Sequence, residues 1–302
     1  MIDFQRLDIS QKPRLDPLLH SVGGRGCSYS FANLFLWGRM DAACIGGDVY
    51  LFSNYQGRSM YPNPIAADRK AAIDRIIADS KERGIPCRIC DLTREDKQEL
   101  EQLYPDQFRY HCDRDNFDYV YEIGDLAELK GRKFQQKRTR INHFIQDYPA
   151  YQVVELSREN LPEVEDLVNR WYEERLAADP HADLHGEKVA MHRALKYYEQ
   201  LQMEGIGLWV DGRLVAMTMG SFLDPETVDV HFEKADTRYV GSYAMINREF
   251  ARFLREKYPR LRFLNREDDL GSEGLRTAKL SYMPHHLVEK CWAHLRDEDY
   301  DE

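Results

Sequence analysis

Apolar runs broken by tight turns alternate along this chain with stretches of helical period, and the same succession occurs twice. Over residues 44–55 an apolar run, a turn at Gly46-Gly47-Asp48 and a second apolar run predict a hairpin. A proline-containing loop, an amphipathic helix ending near Arg83 and a strand over 85–90 follow, then an acidic segment, a helix and Tyr104-Pro105. Residues 207–222 are again run, turn and run, centred on the favoured turn pair Asp211-Gly212. A strand at 227–232, a helix ending near Lys257, a strand at 261–265, the acidic 266–269, a helix and Tyr282-Met283-Pro284 complete the second copy. Self-similarity over such a length predicts two copies of one α/β unit.

Finer patterning adds detail to the second copy. Asn160, Pro162 and Glu163 suit a helix start, and Leu161, Val164, Leu167, Val168 and Trp171 continue at helical spacing. Residues 178–184 read as a loop and 189–203 as a further helix. Strict alternation at 227–233 places Val228, Val230 and Phe232 on one face, and Asp229, His231 and Glu233 on the other.

At 302 residues the chain suits two domains of about 150 residues each. The division is expected at 148/149, with residues 1–148 ending in a basic helix and 149–302 carrying the donor site. A composition of 43% apolar and 31% charged residues belongs to a folded globular protein rather than a disordered one. No apolar stretch approaches the roughly 18 residues of a membrane span, and the first residues carry no signal-peptide pattern, so a cytoplasmic location is expected. The six cysteines are widely spread. Cys87-x-x-Cys90 has no second pair to complete a zinc site, so small reduced core cysteines are expected. The ten histidines show no metal-binding spacing, and no metal is expected.

Net charge is −10, with five acids in the tail 297–302, which argues against a general nucleic-acid binder. Residues 130–140 are a local exception, carrying six positive charges and no acid. As a helix, this segment and its continuation line up Phe134, Ile141 and Ile145, with Lys133, Lys137 and Arg140 along one edge of that stripe and Arg138 on the other. Two readings stay open: an anion site for a phosphate-bearing donor or acceptor (nucleotide, tRNA or lipid headgroup), or a solvated helix joining two domains.

The loop Arg238-Tyr239-Val240-Gly241-Ser242-Tyr243-Ala244 feeds a long amphipathic helix. Free amides and the positive helix end at such a place suit a pyrophosphate or carboxylate. The corresponding stretch of the first copy, Tyr61-Pro-Asn-Pro-Ile, has two prolines that remove donors, so the first copy is expected to have lost this site.

The element order resembles the GNAT superfamily of N-acyltransferases, and Arg238-x-x-Gly241-x-x-Ala244 resembles its acyl-CoA pyrophosphate loop, with Tyr243 in place of a small residue. Residues 125–142 and 265–282 further resemble the family named for the C-terminal domain of bacterial phosphatidylglycerol lysyltransferases, relatives of the Fem-type aminoacyltransferases. The resemblance implies a mixed α/β (α+β) fold of two tandem GNAT-like domains, each a mainly antiparallel sheet flanked by helices. It implies an acyltransferase working in a cleft between the domains, with an acyl-CoA donor and an amine (or hydroxyl) acceptor; alternatives are an aminoacyl-tRNA donor or a catalytically inactive binding module. In GNAT enzymes a carboxylate or water near the middle strands removes the acceptor's proton, and a tyrosine often protonates the leaving thiolate. Tyr282 stands at the matching place for the acid; Glu233, sharing a strand face with Asp229 and His231, is the base candidate, and Glu267 belongs to an acidic cluster (267–269 and 273) that either binds a cationic acceptor or caps the following helix.

Overall fold

In the computed structural model, residues 1–55 and 57–296 are described, and the acidic tail 297–302 lies outside them. The two predicted copies are visible as two seven-stranded sheets. In the first, Asp41–Ile45, Asp48–Tyr55 and Arg58–Pro62 run antiparallel, and Arg58–Pro62 then pairs parallel with Arg88–Leu92 after the helix Arg69–Arg83. In the second, Glu204–Val210, Arg213–Asp224 and Thr227–Ala235 repeat the meander, and Thr227–Ala235 pairs parallel with Phe263–Asn265 after the helix Ser242–Lys257. Asp211 and Gly212 both take positive φ (50° and 76°), the two-residue turn that the Asp-Gly pair favours.

The division between copies does not fall at 148/149. Each sheet takes its sixth strand from the other half of the sequence: Cys291–Leu295 joins Arg88–Leu92, and Asp118–Glu122 joins Phe263–Asn265. Among the described residues, one compact unit therefore comprises 1–118, 268–272 and 287–296, and the other 119–267 and 273–286. Residues 119–148, basic helix included, belong to the second unit because their strand completes the second sheet.

Cysteine chemistry differs in part from the expectation of reduced thiols. Cys87 and Cys90 are free and buried. Cys112 and Cys291 face each other directly on paired strands, Cα atoms 4.2 Å apart, and form a disulfide. The first unit's core packs Tyr50, Tyr61, Ile73, Ile76, Ile89, Leu92 and Phe108 between its sheet and helices.

In the second unit, the helix Ser242–Lys257 buries Met245, Ile246, Phe250 and Leu254. That stripe at helical spacing is what a one-sided apolar helix contributes to a sheet-and-helix core. Asn160 does not cap its helix: its side chain instead accepts from the Ser157 N–H and donates to the Glu155 carbonyl, tying the strand end to the helix start. Among the described residues no helix is long and apolar enough to cross a membrane.

Candidate active site

Two parallel strands set the position of the site. Thr227–Ala235 pairs with Phe263–Asn265 only through Thr227, Val228 and Asp229. Beyond Asp229 the first strand runs on while the second ends in the turn that carries Arg266 and Glu267, so side chains from both meet past the end of the ladder. The alternation predicted for 227–233 is broken there: Met219 pairs with Phe232 and Gly220 with Val230, leaving His231 as an extra, bulged residue. As a result Asp229, His231 and Glu233 enter two separate networks rather than one shared face.

The first network surrounds Tyr282, which is 6% exposed. Arg266 donates to Glu233 Oε1 at 3.0 Å, and Asn247 donates to Glu233 Oε2 at 3.3 Å. The Arg266 guanidinium lies 5.1 Å from the centre of the Tyr282 ring, and Lys137 Nζ stands 3.7 Å from it. Burial pushes the Tyr282 hydroxyl up to about 12, against the pull of Arg266, so it stays protonated at neutral pH. Burial also brings the Lys137 ammonium down to about 8, helped by the like charges of Arg140 and Arg266 and opposed by Glu233. A protonated tyrosine with two cations against its ring, one of them paired with Glu233, is an arrangement that can donate a proton.

The second network holds Glu267. His231 Nε2 is 2.8 Å from Ser221 Oγ, while its Nδ1 faces Asp229 Oδ2 at 3.5 Å and Glu267 Oε1 at 3.3 Å. Glu267 adopts left-handed backbone (φ 55°), a conformation costly for a non-glycine residue. Its turn is fastened by the Asn265 side chain, which accepts from the Glu267 N–H at 2.8 Å, and by Lys279 Nζ, which donates to the carbonyls of Arg266 (2.5 Å) and Glu267 (3.2 Å).

The basic segment divides by role. Arg138 donates to the carbonyls of Leu129 and Gly131, and Lys133 pairs with Asp125 at 2.8 Å. Both are engaged in holding the helix start. Lys137, half-buried, and Arg140, exposed, lie towards Tyr282.

The loop 238–244 is largely engaged with itself and with that same helix, Gln135–Asp147. The Arg238 guanidinium and N–H both bind Asp236, which the guanidinium holds below the usual carboxylate range. The N–H groups of Tyr239 and Ser242 donate to the carbonyls of Asp236 and Tyr239. Tyr239 packs against Tyr148 with the rings tilted, Val240 is exposed, and Tyr243 is half-buried with its hydroxyl accepting from Trp171. Ala244 is buried. Gly241 has φ 93°, and a Cβ there would overlap the Arg140 carbonyl oxygen and lie 3.2 Å from Phe144 Cβ. Nothing in the sequence pattern signalled that the basic helix would seat its backbone on this glycine.

The sequence pattern of the family described as "Phosphatidylglycerol lysyltransferase, C-terminal" matches residues 20–294. The chain belongs to that family. A conserved protein of unknown function from Bacteroides thetaiotaomicron is 35% identical with a TM-score of 0.93, over 98% of this chain and 100% of that one. L-PGS from Bacillus licheniformis shares the fold at 15% identity and a TM-score of 0.66, over 95% of this chain and 92% of the other. The tandem GNAT protein of the clavulanic acid biosynthesis pathway shares it at 10% identity and a TM-score of 0.50, covering 99% and 100%. The fold is thus the expected mixed α/β tandem GNAT-like one. An uncharacterized protein of Mycoplasmoides gallisepticum is 25% identical over 174 residues, 57% of this chain and 54% of that protein, so this chain matches about half the length of that curated relative.

Proposed function

We propose that the chain is an aminoacyltransferase that takes its acyl group from the 3′-terminal ribose ester of an aminoacyl-tRNA and passes it to an amine or hydroxyl acceptor. One observation carries the choice of donor: the helix Gln135–Asp147 lays the Arg140 carbonyl against Gly241 and directs Lys137 onto the Tyr282 ring. The Arg140 carbonyl oxygen packed against Gly241 brings negative partial charge close to that helix start, which disfavours a diphosphate there. The same helix supplies Lys137 and Arg140, cations suited to the phosphodiesters of a polynucleotide 3′ end. Membership of a lysyltransferase family supports the same donor class.

In this reading the acceptor's nitrogen or oxygen attacks the ester carbonyl and gives its proton to Glu233, whose carboxylate has used only part of its accepting capacity on Arg266 and Asn247. The carbon–oxygen bond to the ribose then breaks. The ribose oxygen leaves with the proton of Tyr282, and Lys137 and Arg266 stabilise the negative charge that builds up before that transfer.

Calorimetric titration with lysyl-tRNA and, separately, with coenzyme A tests the donor. The expected result is salt-dependent binding of the tRNA, weakened at least tenfold in a Lys137→Ala/Arg140→Ala variant and unchanged in Arg238→Ala. Binding of coenzyme A that is lost in Arg238→Ala, with no binding of tRNA, would overturn the reading in favour of a thioester donor.

A further inference from the structure

The transfer mechanism leaves the cluster at the bulged histidine unused. Its three side chains come from two elements: Asp229 and His231 from the long strand, Glu267 from the turn after Phe263–Asn265. The Asp229 side chain is 0% exposed, that of His231 2% and that of Glu267 21%. Their ligand atoms (Asp229 Oδ2, His231 Nδ1 and Glu267 Oε1) lie within 4.8 Å of one another.

The spacing around Nδ1 is informative. An imidazole nitrogen carries one proton or one lone pair, so it makes one good hydrogen bond, at about 2.9–3.0 Å. Here two carboxylate oxygens approach the same nitrogen, at 3.3 and 3.5 Å. Both separations are long for that bond. They match the edge of a tetrahedron around a cation with metal–ligand bonds of about 2.0–2.1 Å, whose ligand atoms stand about 3.4 Å apart. The ring's other nitrogen lies 2.8 Å from Ser221 Oγ, an outer contact that orients the ring and, with Nε2–H donating to that oxygen, leaves Nδ1 as the ligating atom. Two carboxylates converging in a largely buried site also favour a positive ion between them.

We propose that Asp229, His231 and Glu267 bind one divalent transition-metal ion, with Zn²⁺ the best match. One imidazole and two carboxylates form a nitrogen–oxygen set that Zn²⁺ accepts, whereas Mg²⁺ and Ca²⁺ favour oxygen alone. Three protein ligands leave a fourth position, on the side where Glu267 is partly exposed. The ion would fasten the bulge to the Arg266–Glu267 turn, across the point where the two strands part.

The test uses the whole chain, stripped with a chelator and titrated with zinc chloride alone. The expected result is one Zn²⁺ per chain with a dissociation constant of about 1 μM or tighter, a rise in melting temperature on binding, and no comparable response to Mg²⁺. His231→Ala should weaken binding at least a hundredfold, Glu267→Gln at least tenfold, and Ser221→Ala about tenfold through loss of the orienting contact. Cobalt(II) in place of zinc should give the intense visible absorption of a four-coordinate site, lost in His231→Ala. Glu267, at the open edge of the cluster, can be changed without disturbing the core, so folding of that variant (checked by circular dichroism) keeps the result interpretable. Absence of zinc binding by the unaltered chain, or affinity unchanged in Glu267→Gln, would overturn the site, whatever the donor experiments show.

Discussion

Burial sets the protonation of both Tyr282 and Lys137, which touch through the tyrosine ring. The tyrosine is held protonated by burial, and the lysine sits over its ring with its charge made easier to lose. Replacing Tyr282 by Phe removes the proposed proton donor and keeps the packing, so transfer should fall by about 10²–10⁴-fold with little change in melting temperature. Transfer should also decline as pH rises through about 8, where Lys137 loses its proton. Lys137→Arg, which stays charged, should retain part of the activity without that decline. The stability consequence runs the other way. Because the folded-state value lies below the ordinary 10.5, the unfolded chain binds more protons between about pH 8 and 10.5, and Lys137's contribution to stability improves as pH rises through that window. Lys137→Met should therefore melt a few degrees higher than the parent at pH 7 while losing transfer activity. Tyr282 could be singled out from its place after the last helix of the repeat. Its partner could not, because Lys137 lies 145 positions earlier in the sequence and only folding brings the two together.

At the scale of elements, the hairpin at Asp211-Gly212 and the long amphipathic helix were legible because their signals are local: a turn pair and an apolar stripe. The bulge at His231 was not, since strict alternation in 227–233 gives no hint that one residue drops out of the pairing. That single irregularity goes with Glu233 standing in a different network from Asp229 and His231, where one face was expected. The seat of the basic helix on Gly241 was equally invisible, because it depends on a backbone carbonyl and not on any side chain. This contact has a sharp consequence. Gly241→Ala combines a strained φ of 93° with overlap on the Arg140 carbonyl, and it should lower unfolding free energy by about 2–4 kcal/mol in urea denaturation. A much smaller loss would mean that the helix can lift from the glycine, reopening the helix start to a diphosphate.

Across the whole molecule, the duplication was readable from repeated hydropathy, but the exchange of sixth strands was not. Short strands such as Asp118–Glu122 and Cys291–Leu295 carry little information about which sheet they will join. The disulfide between Cys112 and Cys291 depends on that exchange, since it links residues 179 positions apart. Mass spectrometry of unreduced digests should recover the linked peptides, and Cys291→Ser should cost about 2–5 kcal/mol of stability. The central claim, that this family member moves an aminoacyl group from a tRNA ester using Tyr282 as acid, is tested most directly by following a radiolabelled lysyl group. Lysyl-tRNA carrying the label is incubated with the protein and with phosphatidylglycerol micelles or an amine acceptor. The account predicts enzyme-dependent appearance of label in an acceptor, reduced at least a hundredfold in Tyr282→Phe. Label passing to an acceptor at an unchanged rate in that variant, or transfer only when an acyl-CoA replaces the tRNA, would contradict it.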